Sequence, residues 1–347
     1  MANPILTAAI DAAASGVDLS AEQAGDLLTE VMEGRSSDAE TAAILIALRT
    51  KGETVDELVG LARTMRRLAS SVASSRLDLI DTAGTGGGAS TFNISTTAAL
   101  IAAGAGCAVA KHGNRSSTSK CGSADLLEAL GVRIDLSGVQ VGQCIDRIGF
   151  GFMFAPAHHT AMRHVVPVRR QLAVRTIFNF LGPLTNPAGA RRQVIGVSDR
   201  RFQATVAEAL AELGCEHALV VSSSDGLDEF SIEAPSELFE VRGGDVKGSS
   251  FDPASLGVAI EAGSVAAAIA GGEPAENAAL TASILDGAPG PGREVAALNA
   301  GAAIYVAGRA GSLEAGYGAA LAAIDGGAAR RVLDQLVSVS REMANSG

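Results

Sequence analysis

Up to about Ala69 the apolar residues recur at helical spacing, as in Leu27, Leu28 and Val31, or Ala43, Leu45, Ile46 and Leu48. Three helix starts are marked by capping boxes, Ser20-x-x-Gln23, Ser37-x-x-Glu40 and Thr54-x-x-Glu57. In each, hydroxyl and N3 side chain reciprocally satisfy backbone N–H groups that a helix start leaves free. Gly34 and Gly52 fall where helices stop. The pattern predicts a helical domain, followed by a polar connection from Ser70 to Ser75. From Leu77 the period changes. Short β-type runs, Leu77–Asp81, Cys107–Ala110, Phe152–Ala155, Gln193–Val197, His217–Ser222 and Glu237–Val241, alternate with Ala- and Leu-rich stretches. Ser123–Leu130 reads as a helix stopped by Gly131, and Asn299–Val306 and Leu313–Met343 read as a helical tail. The prediction is an α/β fold: a mainly parallel central sheet flanked by helices, beside a smaller all-helical domain.

A chain of 347 residues is long enough for two domains. A net charge of -11 and only 3% aromatic residues exclude broad nucleic-acid or anionic-membrane binding and base-stacking surfaces. Cys107, Cys121, Cys144 and Cys215 form no Cys-x-x-Cys pair and stand near no His at ligand spacing, so they read as reduced, buried thiols. The N-terminal stretch lacks a signal-peptide pattern, and Thr97–Ala110 is too short and glycine-rich to span a bilayer, which predicts a cytoplasmic protein.

The local chemistry runs against that acidic background. Between Asp81 and Asp125 there is no acid. The first β-type run leads into Gly84, Gly86, Gly87 and Gly88, where backbone N–H groups can turn toward a ligand without Cβ hindrance. Thr91-Phe92-Asn93-Ile94-Ser95-Thr96 then opens an apolar run as a helix N-terminus does, and such an end attracts anions. Lys111, His112, Asn114, Arg115 and a Ser/Thr-rich run complete a polyanion site, with phosphate or diphosphate the natural ligand. A mononucleotide P-loop is excluded because Ala89-Ser90, not Lys-Ser/Thr, follows the glycines. Gly84-x-Gly86-x-x-Ala89 matches the dinucleotide fingerprint, but the acid required about 20 residues on is missing.

Two further stretches carry chemistry. From His158 to Arg192 there are Arg163, Arg169, Arg170, Arg175, Arg191 and Arg192 and no acid, beside apolar residues and two X-Pro turns. An arginine fork there suits a carboxylate, and the apolar neighbours suit a flat ring. Asp228-Glu229 lies in the loop after the run that ends near Val221, where paired carboxylates suit Mg²⁺ shared with phosphates.

These motifs resemble those of the anthranilate phosphoribosyltransferases. Gly84-Thr85-Gly86-Gly87, Asn93-Ile94-Ser95-Thr96, Lys111-His112-Gly113-Asn114-Arg115, Phe154-Ala155-Pro156, Pro167-Val168-Arg169-Arg170 and Arg175–Pro187 match the family pattern, which continues through Glu276-Asn277 and Asn299-Ala300-Gly301. The family loop has an Asp after its Gly-Gly pair, which is missing here, so that Gly88 follows directly. Thr160 and Gln171 stand where the family usually has Pro and Glu. Pyrimidine nucleoside phosphorylases are similar in fold, but the paired Lys111–Arg115 and Arg175–Pro187 patterns favour the transferase. A transferase for another aromatic amine and a non-catalytic phosphoribosyl-binding relative remain as alternatives.

The resemblance implies transfer of the phosphoribosyl group from 5-phosphoribosyl diphosphate to anthranilate in tryptophan biosynthesis, with two Mg²⁺ per site and a homodimer formed through the N-terminal helices. It implies a helical domain of residues 1–72 joined by about 163–188, and an α/β domain of 73–162 and 189–347. Gly84, Gly87, Thr91, Asn93, Ile94, Ser95, Thr96, Lys111, His112, Gly113, Asn114, Arg115, Ser116, Ser117, Thr118, Ser119 and Ser123 are the implied diphosphate and ribose residues. Gly84, Asn114 and Arg169 are implied for anthranilate, and Ser95, Asp228 and Glu229 for metal. An aniline nitrogen is an uncharged nucleophile at neutral pH, so no strong general base is required and His112 is expected to position rather than to abstract a proton.

Overall fold

The computed structural model describes residues 2–116, 119–258, 263 and 265–345. Four helices open the chain: α1 (Pro4–Ala14), α2 (Ala21–Met32), α3 (Asp38–Lys51) and α4 (Val55–Leu68). All three sequence-marked capping boxes form. α1 starts on the Asn3 side chain, which accepts the N–H groups of Ile5 and Leu6 and lies outside the three capping boxes marked in the sequence.

The rest of the chain builds a seven-stranded sheet of order β3-β2-β1-β4-β5-β6-β7. The strands are β1 (Leu79–Gly84), β2 (Ala108–Gly113), β3 (Phe150–Phe154), β4 (Arg192–Gly196), β5 (His217–Ser223), β6 (Ser236–Arg242) and β7 (Asp245–Phe251). β1 to β5 run parallel, and β6 and β7 are added antiparallel. The expected strands are present within a few residues. β1 begins at Leu79 rather than Leu77, whose side chain is 96% exposed. β7 is an addition to the expected set: its residues are mostly polar and exposed, so no period-2 apolar signal marks it. The tail is two helices, Leu313–Asp325 and Ala328–Asn345, separated by Gly326-Gly327.

Alternation along the strands gives the sheet two apolar faces. Ile80, Val109, Val194, Leu219 and Val221 point to one core, filled by α5 (Ile94–Gly104) and the C-terminal helices. On the opposite face, Ile195, Ala218 and Val220 pack with α1–α4 and with Val165, Ile177, Phe178, Phe180, Leu181 and Leu184 of the mid-chain segment. α5 is buried from Thr96 to Ala103, which explains a helix that is apolar all round.

One polar junction ties these layers together. Asp81, fully buried in β1, accepts the backbone N–H of His112 at 3.2 Å and the Asn186 amide at 2.7 Å. Asn186 also donates to the Ala110 carbonyl at 2.8 Å and accepts the Ala188 N–H at 2.9 Å, so the turn leading into β4 is held to β1 and β2. His112 reaches the Gly182 carbonyl at 3.3 Å and stacks at a tilt on His159, ring centres 5.1 Å apart. The connection after α4 docks here too, with the Ser70 N–H donated to the His158 carbonyl at 2.8 Å and the Val72 N–H to that of Pro187 at 3.1 Å.

Burial drives the imidazole pKa of His112 down to about 3 and that of His159 to about 4, so both fold neutral. Unfolded, each takes up a proton below about pH 6.5. Their contribution to stability is therefore complete above that pH and is lost as pH falls through 6.5 toward the folded values, by about 1.4 kcal/mol per pH unit for each imidazole. Denaturant melts between pH 7 and 5 are expected to show this slope, and His112→Gln is expected to remove about one proton from it.

Candidate active site

The parallel strands end in loops at one edge of the sheet. β1 and β4 are neighbours, yet the chain leaves β1 for β2 on the other side, and ligands of open α/β sheets bind at such a switch point. The register pairs Gly84 with Gly196 there. Thr85 N–H donates to the Gly196 carbonyl at 2.8 Å, and Ala89 N–H to that of Gly226 at 3.3 Å. Gly86 and Gly87 adopt positive φ, +65° and +85°, so the loop turns as only glycine does without strain. A Cβ on Gly88 would lie 2.6 Å from Asp228 Oδ1, and one on Gly84 3.1 Å from Oδ2, so the acid loop after β5 rests directly on the glycine loop.

Asp228, Glu229 and Ser95, the residues expected at the metal, line one small cavity with Thr82, Ala83, Gly196 and Asn299. Glu229 Oε2 is shielded from solvent and has no hydrogen-bond partner. Burial raises the Glu229 pKa well above the ordinary carboxylate value, and the adjacent Asp228 charge raises it further. Burial also raises Asp228, with its own backbone N–H, Glu229, the Gly86 N–H and Arg175 pulling the other way. A buried carboxylate oxygen without a donor, beside a second carboxylate and a serine, is a donor set that fits a hard cation.

The amide- and hydroxyl-rich cluster meets this cavity from the other side. Thr82 Oγ1 donates to the Ser95 carbonyl at 2.9 Å, which locks the first turn of α5 to β1. Thr96 Oγ1 is buried without a partner, and the Ile94 side chain belongs to the core, leaving only its backbone for a ligand. Thr91 bridges to Ala270. Asn93 does not cap α5; its Nδ2 donates to the Cys121 carbonyl at 3.0 Å, and its Oδ1 accepts from Asn277 Nδ2 at 2.9 Å. Asn277 Oδ1 in turn accepts the Gly272 N–H at 2.8 Å. Both ends of this chain are backbone groups whose roles cannot swap, so each amide orientation is determined chemically. Asn277 is thus a support of the site, a task that the Glu276-Asn277 motif does not disclose by itself.

Two expected phosphate cations are engaged elsewhere. Lys111, 2% exposed, donates Nζ to the Thr82 carbonyl beneath the loop, and burial lowers its pKa against the pull of Asp81 and Glu229. Arg115 turns outward, pairing with Glu128 at 2.5 Å and Asp125 at 2.7 Å and covering the Phe154 ring. Gly113 ends β2, and the neighbouring Ser123 hydroxyl bonds the backbone of Asn114, whose Oδ1 accepts the Arg115 N–H at 2.7 Å. Ser116 and Ser119 share a hydroxyl contact of 2.6 Å, while Ser117 and Thr118 lie outside the described residues. Arg169 has no ion-pair partner among the described residues and sits 5.5 Å from the centre of the Phe178 ring; burial lowers its pKa. Arg175, one of the arginines of the acid-free stretch to which the sequence assigned no particular ligand, lies against Gly87.

Residues 7–69 match the helical bundle domain of the glycosyl transferase family, and residues 76–330 match its a/b domain. An anthranilate phosphoribosyltransferase of Symbiobacterium thermophilum is 51% identical over 93% of this chain and 94% of its own length. That of Rubrobacter xylanophilus is 49% identical over 99% of this chain and 100% of its own. The crystal structure of the Thermus thermophilus enzyme superimposes with a TM-score of 0.89 at 43% identity, covering 96% of this chain and 99% of that one. The Saccharomyces cerevisiae enzyme in complex with PRPP and Mg superimposes with a TM-score of 0.88 at 25% identity, covering 97% and 98%. A glycine loop at the switch point, an acid pair beneath it and this agreement over nearly the whole length lead to one conclusion: the chain belongs to the anthranilate phosphoribosyltransferase family, glycosyltransferases of tryptophan biosynthesis.

Proposed function

We propose that the chain joins the nitrogen of anthranilate to C1 of the ribose of 5-phosphoribosyl diphosphate at this sheet edge, giving N-(5-phosphoribosyl)anthranilate and pyrophosphate. The observation that carries the reading is the unpartnered Glu229 oxygen beside Asp228 and Ser95 under the glycine loop, a cation site where a diphosphate would lie. The C1–O bond breaks with its electron pair leaving on the diphosphate, the C–N bond forms, and the nitrogen proton passes to solvent. Charge builds on the leaving oxygens and on an oxocarbenium-like ring, so positioned donors and counter-charge are the catalytic need. Ser95, Asp228 and Glu229 would hold Mg²⁺, and two ions are the fuller reading; bound there, Mg²⁺ supplies counter-charge to the diphosphate.

The backbone of the Gly84–Gly88 loop and the start of α5 hold the phosphates, with Thr91, Asn93, Thr96, Ser119 and Ser123 around the ribose diphosphate. Asn114 and Arg169 take the acceptor, the free Arg169 fork meeting the carboxylate beside the Phe178 ring. His112 is neutral and bonded to the Gly182 carbonyl, which supports a positioning role. The described residues contain no helix long and apolar enough to cross a membrane, in keeping with a cytoplasmic enzyme. Ile5 of α1 and Ile46 of α3 are 42% and 37% exposed on helices that pack together, which supports a homodimer through this surface.

Arg169→Ala is expected to raise KM for anthranilate about tenfold or more, with KM for 5-phosphoribosyl diphosphate little changed, in a fluorescence assay of anthranilate consumption. Chelation is expected to abolish turnover, and Glu229→Gln to lower kcat about a hundredfold and to weaken Mg²⁺ activation. Undiminished turnover in chelator would refute the metal assignment. Sedimentation is expected to give a dimer mass for the native chain and a monomer mass for Ile5→Glu combined with Ile46→Glu.

A further inference from the structure

We propose that Arg175 binds the departing diphosphate and is a cation of the site in its own right, an inference that rests on the reading that the chain uses 5-phosphoribosyl diphosphate. The guanidinium lies directly on the glycine loop, where any Cβ on Gly87 would collide with Nη1. Nη1 donates to Ser198 Oγ at 2.9 Å, and that hydroxyl donates to the Gly86 carbonyl at 2.8 Å, so the fork is pinned to the loop backbone from the β4 side. Its own carbonyl accepts Arg49 Nη1 of α3 at 2.9 Å, which anchors the residue from the helical layer as well.

Nη2, by contrast, is shielded from solvent and has no partner. A buried guanidinium nitrogen with unused N–H groups is costly, so its retention calls for an acceptor at some stage of the reaction cycle. Asp228 feels the Arg175 charge, but no hydrogen bond joins the two. The two cations that sequence motifs offered for the diphosphate are occupied, Lys111 by the Thr82 carbonyl and Arg115 by Asp125 and Glu128. Arg175 touches the loop at Gly87, and its fork suits the oxygens of a diphosphate. When the C1–O bond breaks and the electron pair goes to the leaving oxygen, diphosphate charge rises and the interaction strengthens, which lowers the barrier as well as binding the product. Arg175 also follows Arg169 by six residues, so one segment carries the arginine for the acceptor carboxylate and the arginine for the leaving group.

The test is calorimetric binding of inorganic pyrophosphate with Mg²⁺, together with steady-state kinetics, for the full native chain, Arg175→Gln and Arg175→Lys. Arg175→Gln should weaken pyrophosphate binding about tenfold or more and lower kcat about a hundredfold, while KM for anthranilate changes less than about threefold. Arg175→Lys, which keeps the charge but replaces the planar two-nitrogen fork by a single ammonium, should recover part of both. Pyrophosphate affinity and product inhibition in folded Arg175→Gln within about threefold of native would overturn the proposal, even if kcat fell, because a purely structural residue would behave that way. Should Arg175→Gln fail to fold by circular dichroism, Arg175→Ala takes its place, and pyrophosphate affinity in folded Arg175→Ala within about threefold of native would overturn the proposal. A native chain that binds neither pyrophosphate nor 5-phosphoribosyl diphosphate would remove the underlying reading itself, whereas an active native chain with an unaffected Arg175→Gln removes this inference alone.

Discussion

The buried Asp81 carboxylate is the constraint on which the rest of the structure depends. It sits in the middle strand of the parallel sheet with no exposure to solvent, and burial raises its pKa against the opposing pull of Lys111, Asn186 and the His112 N–H. A charge so placed is tolerable only when its oxygens are fully used. That requirement couples β1, β2 and the turn at Asn186, elements far apart in the chain, and loss of any partner would strand the others. The mid-chain segment is thereby fastened to the sheet at Asn186, while its Phe178, Phe180, Leu181 and Leu184 side chains pack with the helical layer.

At the ends of the same strands lies a set of polar groups without partners. Glu229 Oε2, Arg175 Nη2 and Thr96 Oγ1 are all shielded and unpartnered, and they cluster at the ends of β1, β4 and β5 and the start of α5. Native interiors leave few such atoms; the others among the described residues are ring nitrogens of His112, His158 and His159, Thr176 Oγ1 and Arg293 Nε, whereas the three at this sheet edge bring an acid, a cation and a hydroxyl to one place. Glycines at 84, 87, 88 and 196 allow it: each removes a side chain that would otherwise separate the loop from Asp228 or Arg175. The stability forgone in those bonds is held ready for a ligand with opposite needs, a polyanion with its cation.

Much of this was legible from residue order. Capping boxes, glycine stops and the change from helical spacing to short β-branched runs are local signals, and they located α2, α3, α4 and six strands because hydrogen bonding within a few residues decides them. The glycine loop, the Asn93–Thr96 cluster and Asp228-Glu229 were legible as chemistry for the same reason, each being a contiguous motif. β7 escaped because an exposed polar edge strand has no apolar face to advertise it.

The amino-acid sequence by itself thus determined which residue types could meet a diphosphate, a metal and a carboxylate, through charge, hydroxyl content and backbone freedom at fixed spacing. Only the tertiary structure decided which of them are available. Lys111 and Arg115 look equivalent in the chain, yet one is spent on a carbonyl inside the sheet and the other on two surface acids. Arg175 and Asn277 gain their places from Gly87 and Asn93, 88 and 184 positions away by subtraction of residue numbers. Local propensity has no term for partners at that range: whether a cation is free, paired or pinned follows from packing distances that exist only once the sheet has formed.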